Sequence, residues 1–191
     1  KEFYNICEDH RKNNKARAFA FILSDFHTMQ ATQIIMDNEL WNNLHTKSGE
    51  FLTIFHLNYK SEEVNALFRE GETDFVRQRF DSFFKKLTNI FEDTEFNKIN
   101  MPAILFFQTH AAEIIDYFII ELNQKGLNKD ISELDFYIES AVESAKGIDS
   151  NNLDNSQEIF RELKKNIDSK RFKKKWGKRI KKAIQIYQLI K

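Results

Sequence analysis

Three side chains suited to acid–base or nucleophilic work stand close together in "SDFHTMQ", residues 24–30: Ser24, Asp25 and His27. A serine nucleophile needs a base and an orienting carboxylate, and this stretch holds one of each. That composition defines a hydrolase or transferase reading centred on these three residues. The competing reading is structural. Near neighbours in sequence rarely point at one another, whereas Ser24, Asp25 and Thr28 are all good helix N-caps. Capping is therefore the expected role, and no catalytic residue is assigned.

The other chemistry-bearing residues are sparse. His27, His56 and His110 fall at or near predicted strand ends, from which they could converge on a metal ion. No H-x-x-x-H pair and no dense acidic partner accompanies them, so no metal site is expected. The single Cys7 leaves no internal disulfide, no CxxC chemistry and no multi-cysteine zinc site. Five scattered glycines build neither a Walker A loop nor G-x-G-x-x-G, so no phosphate cradle and no cofactor are expected. "EEVN" (62–65) and "EDTE" (92–95) read as solvated acidic turns.

Bulk composition sets the frame for these residues. With 191 residues, 41% hydrophobic and 30% charged, the chain can fill one core and carry an appendage. No apolar run reaches the ~18 residues that span a bilayer, and the N-terminal stretch lacks the apolar segment of a signal peptide. A cytoplasmic protein of a bacterial system is the expectation, in keeping with the lone cysteine. The nineteen Phe, together with abundant Lys, Asn and Ile, mark the codon usage of an AT-rich genome. Zero net charge conceals a division. Residues 161–191 carry thirteen Lys/Arg against Glu162 and Asp168, a net of +11, which leaves −11 on residues 1–160.

The elements that must position these residues follow from periodicity. "RAFAFILSDF" (17–26) reads as a buried strand. Helical spacing runs from Thr28 to about Lys47, with Met36, Leu40 and Leu44 on one face and Gly49 as a stop. "FLTIFHLNY" (51–59) alternates as a strand. Val76, Phe80, Phe83, Leu87 and Ile90 place a helix from about Thr73 to Phe91. "AILFFQT" (103–109) and "IIDYFIIEL" (114–122) read as two more strands. A helix spans 130–145, capped by Asp130 or Ser132, with Leu134, Ile138, Ala141 and Ala145 inward. The first fifteen residues form a preceding helix. The core order is β-α-β-α-β-β-α: an α/β fold with a mixed four-stranded sheet and flanking helices. Both β-α-β crossovers are expected to give parallel pairs, and the closing hairpin an antiparallel one.

Pro102, the only proline, stands directly before the third strand in "MPAILFFQ". Element order and this proline together resemble the thioredoxin/glutaredoxin-like family over residues 17–147. The resemblance implies a cis bond at Pro102. It also implies that a redox thiol pair would lie in "SDFHTMQ", which contains no cysteine. Thiol redox, peroxidase and glutaredoxin activities are thereby disfavoured. Relatives of the glutathione-transferase type use Ser or Tyr, which gives Ser24 a residual claim, although their large helical domain has no counterpart here. The resemblance further implies that the residue before the proline, Met101, offers its backbone to an extended peptide. Phe26, His27, Met101 and Pro102 would then line a partner-binding groove. The alternatives are a proline that only makes a turn, and a flavodoxin- or TIR-like fold, which leaves the closing hairpin unexplained.

The C-terminal segment is helix-prone, with Trp176, Ile180, Ile184 and Tyr187 as an apolar stripe. Around it stand Lys170, Arg171, Lys173, Lys174, Lys175, Lys178, Arg179, Lys181 and Lys182, a basic patch. Such a helix can bind nucleic acid, an anionic membrane surface or an acidic protein, or pack on its own acidic domain. The expected organisation is a thioredoxin-like domain over 1–150 and a basic helical extension over 151–191. The expected function is a redox-inactive protein-interaction module with a protein partner, nucleic-acid binding through the basic helix being the alternative.

Overall fold

A computed structural model describes residues 2–13, 15–24, 37–56, 82, 85–91, 98–110, 113–122, 127–147 and 157–171. The elements are α1 (Glu2–Lys12), β1 (Ala18–Leu23), α2 (Asn38–Ser48), β2 (Leu52–His56), α3 (residues 85–91), β3 (Ala103–His110), β4 (Glu113–Glu121), α4 (Leu127–Lys146) and α5 (residues 157–171). The four strands form one mixed sheet in the order β2-β1-β3-β4.

β1 and the first five residues of β3 are continuous apolar runs because both faces of these central strands are covered. All six residues of β1 are buried, and all of β3 except His110. Alternation then splits the core in two. Ala18, Ala20, Ile22, Ile104 and Phe106 face one way, against α2, α4 and α5. Phe19, Phe21, Leu23, Leu105 and Phe107 face the other way, against α1 and α3. The alanines of β1 and Ala141 of α4 lie in the cluster on the first face. The second face is aromatic. Phe3 stacks on Phe21 at 5.5 Å and Phe19 on Phe107 at 5.5 Å, each such pair adding about 1 kcal/mol beyond area burial.

β1 pairs parallel with β2, from Ala18–Leu52 to Ile22–His56. It pairs antiparallel with β3, from Phe19–Phe107 to Leu23–Ala103, and β3 pairs antiparallel with β4. This corrects the expected second parallel crossover. Residues 57–102 connect β2 to β3, and a connection of that length can return the chain in either direction, so it fixes no pairing sense. The Met101–Pro102 peptide is cis.

Local chemistry sets the helix ends. Asp37 caps α2 by accepting from the Leu40 N–H at 2.9 Å. Gly49 ends that helix at φ +50°, where a side chain would be strained. Leu40 and Leu44 are buried as their spacing predicts, and Met36 lies outside the described residues. Asp130 and Ser132 are not caps, because α4 begins at Leu127 and both lie inside it. Leu134, Ile138, Ala141 and Ala145 are fully buried as expected. Of the residues predicted to line the third helix, Leu87 is buried and Ile90 half-buried. The start of that helix lies outside the described residues. In the C-terminal segment, α5 lays Phe160, Leu163 and Ile167 into the same core as β3 and α4. The stripe from Trp176 to Tyr187 lies outside the described residues. No helix among the described residues is long and apolar enough to cross a membrane.

Candidate functional site

β1 stops at Leu23, three residues short of the predicted end, and Ser24 follows it, buried. One step beyond the Leu23–Ala103 pair, the register brings Ser24 and Pro102 to the same end of the sheet. Met101 is 8% exposed, and its side chain belongs to the aromatic face of the core, with Ala103 and Leu105. A wall built from the Met101 side chain is therefore not open, and any peptide contact there falls to backbone and to neighbouring residues. Phe26, Asp25 and His27 lie outside the described residues.

The approach to Pro102 is held from β4. The Asn100 N–H donates to Glu121 Oε1 at 3.0 Å, and Asn100 Nδ2 donates to Oε2 at 3.1 Å. These two donors, the backbone one foremost, hold the Glu121 carboxyl below the usual carboxylate range. On the other side of the proline, its carbonyl accepts from the Leu122 N–H at 2.9 Å. The end of β4 thus clamps the segment that carries Met101 and Pro102.

Cys7 sits in α1, fully buried against the aromatic face, and burial pushes its thiol up to about 12. His56 and His110 do not converge, and His27 lies outside the described residues. His56 ends β2, exposed, at the Ile22 end of the sheet, and its ring stacks on Trp41 with centroids 4.0 Å apart. His110 ends β3, which runs opposite to β1, so it lies at the other end. No group of three His, Cys, Asp or Glu among the described residues is placed to hold a metal ion.

Sequence reading missed a cleft of about 510 Å³ along β2, the edge strand. α1 and α2 lie on opposite faces of the sheet and both reach to this edge. His10 of α1 shares a hydrogen bond through Nδ1 with Thr53 Oγ1 at 2.7 Å. Trp41 and His45 come from α2, His56 from β2 and Lys15 from the α1–β1 connection. No local spacing announces this set, because three elements supply it.

Of the basic patch, Lys170 and Arg171 are described, at the end of α5. Lys170 Nζ is bonded to Glu143 of α4. Earlier in α5, Arg161 and Lys165 pair with Glu158 and Glu162. Lys173, Lys174, Lys175, Lys178, Arg179, Lys181 and Lys182 lie outside the described residues.

No family model, curated protein or solved structure matches this chain.

Proposed function

We propose that this chain is a thioredoxin-like domain without redox thiols, which binds an extended segment of a protein partner beside Pro102. One observation carries the reading: the Leu23–Ala103 pair leaves Ser24 and Pro102, the next residue on each strand, at the same end of two central strands. Support for the fold comes from the strand order β2-β1-β3-β4, with β3 alone running against the other three, and from helices on both faces. The burial of the only cysteine supports binding rather than thiol exchange.

The partner chemistry is an extended backbone, recognised through main-chain hydrogen bonds at a strand terminus. The double clamp of Asn100 on Glu121 keeps that terminus in one geometry, which lowers the ordering cost of binding.

Peptides selected from a displayed library against the folded protein test this. The expected result is that they shift the amide resonances of Ser24, Asn100 and Met101, with unchanged affinity for Cys7→Ser. Selected peptides that shift only residues remote from this end would refute the groove.

A further inference from the structure

A second site, separate from the groove at Pro102, is carried by the cleft along β2. We propose that it binds a phosphorylated small molecule of about nucleotide size. Its volume of about 510 Å³ lies within the usual range for small-ligand sites. Three of the chain's five histidines, His10, His45 and His56, line it together with Lys15. These come from α1, α2, β2 and the α1–β1 connection, so the fold gathers them rather than the sequence.

Among the described residues, the lining holds no aspartate or glutamate. That is unexpected for its surroundings. Residues 1–160 carry 27 acidic residues and a net charge of −11, so the twelve described lining positions at that frequency would include about two carboxylates. Imidazoles and one ammonium, the latter shared with Asp9 of α1, make the described lining favour an anion over a cation. Among the described residues, no group of three potential ligands in it is placed for a metal.

The donors are arranged for a polyvalent oxyanion. His10 engages Thr53 through Nδ1, which fixes the ring and leaves Nε2 as its second hydrogen-bonding nitrogen. Lys15 is held at 3.3 Å by Asp9, and both side chains are more than half exposed, so a ligand phosphate can compete for the ammonium. The Trp41–His56 ring pair, 4.0 Å apart at 21°, supplies an aromatic boundary at one end of the cleft. Phosphate groups at one end and a planar ring at the other define the ligand class.

Titration of the intact chain with inorganic phosphate, AMP and adenosine, followed by amide resonances of Asn42, Gly49 and Thr53, tests the site. The expected result is saturable shifts with AMP, phosphate or both, and none of comparable midpoint with adenosine. His45 is exposed on α2, so His45→Glu should keep the far-ultraviolet dichroism of the native chain while weakening binding at least about tenfold. Asn42→Asp, at another exposed lining position, should act in the same direction. No cleft shifts up to about 10 mM anion, beyond the weak end of small-ligand affinity, would overturn the proposal. So would an equal response to adenosine, an unchanged midpoint in both folded variants, or shifts confined to residues 170–182.

Discussion

Arg17 Nη1 donates to the carbonyl oxygen of Ala145 at 2.6 Å, tying the residue before β1 to the last turn of α4. The last carbonyls of a helix have no partner within it, and a guanidinium there also meets the negative end of the helix dipole. The same arginine lies 5.2 Å from the centre of the Phe51 ring. Its own carbonyl accepts from Gln108 Nε2 at 2.7 Å, so β1, β3 and α4 meet on one residue.

Arg17→Ala should therefore destabilise the fold by about 2 kcal/mol, the loss expected for a hydrogen bond with a charged donor plus its ring contact. Urea unfolding at neutral pH measures it. Arg17→Lys keeps the charge without the planar fork and should recover only part of the loss.

Cys7 gives a prediction with a defined pH sense. Its thiol is raised from the ordinary 9.0 to about 12, first by burial. Between those values the unfolded chain sheds the proton and the folded chain keeps it, so stability falls as pH rises from about 9 toward 12. Cys7→Ala should flatten that part of the pH profile. At pH 7 native Cys7 should react with a thiol reagent only at the rate at which the chain opens, and fast stoichiometric labelling of folded protein would contradict the buried placement.

Much of this architecture is legible in the residues themselves. "AILFF" and "AFAFIL" are unbroken apolar runs because strands buried on both faces need not alternate, and α4 announces itself through Leu134, Ile138, Ala141 and Ala145. The direction of β3 is not legible, since nothing in residues 57–102 encodes which way the chain returns. The start of α4 was misplaced because Asp130 and Ser132 have capping chemistry at any helical position, and only the fold decides whether the chain is already helical there. The β2 cleft is invisible for a different reason. His10 and His45 are ordinary exposed or half-buried helix residues until a parallel β1–β2 pair places α1 and α2 around one edge.

The clamp on the Pro102 segment is testable by titration. Asn100 depresses the Glu121 carboxyl, so the clamp contributes stability above the ordinary carboxylate value of 4.5 and loses it as pH falls through the depressed value. Asn100→Ala removes the side-chain donor and keeps the backbone one. The Glu121 carboxyl resonance should then titrate closer to 4.5, with a smaller stability difference between pH 7 and pH 3. An unchanged Glu121 titration would show that the side-chain donor does not matter.

Leu163 decides whether the front of the C-terminal segment is part of the core or an appendage. It is fully buried on α5, and the cluster it joins includes Ile104 and Phe106 of β3 and Ile138 of α4. Leu163→Ala should cost about 2–5 kcal/mol, the lost transfer free energy plus the cavity left behind. The loss should appear in a single unfolding transition, because α5 shares its apolar neighbours with the sheet. An α5 that merely rests on the surface would instead melt early, by helical signal, while Trp41 fluorescence kept its native midpoint. Coincident shifts in both signals are the outcome expected of a helix built into the same core.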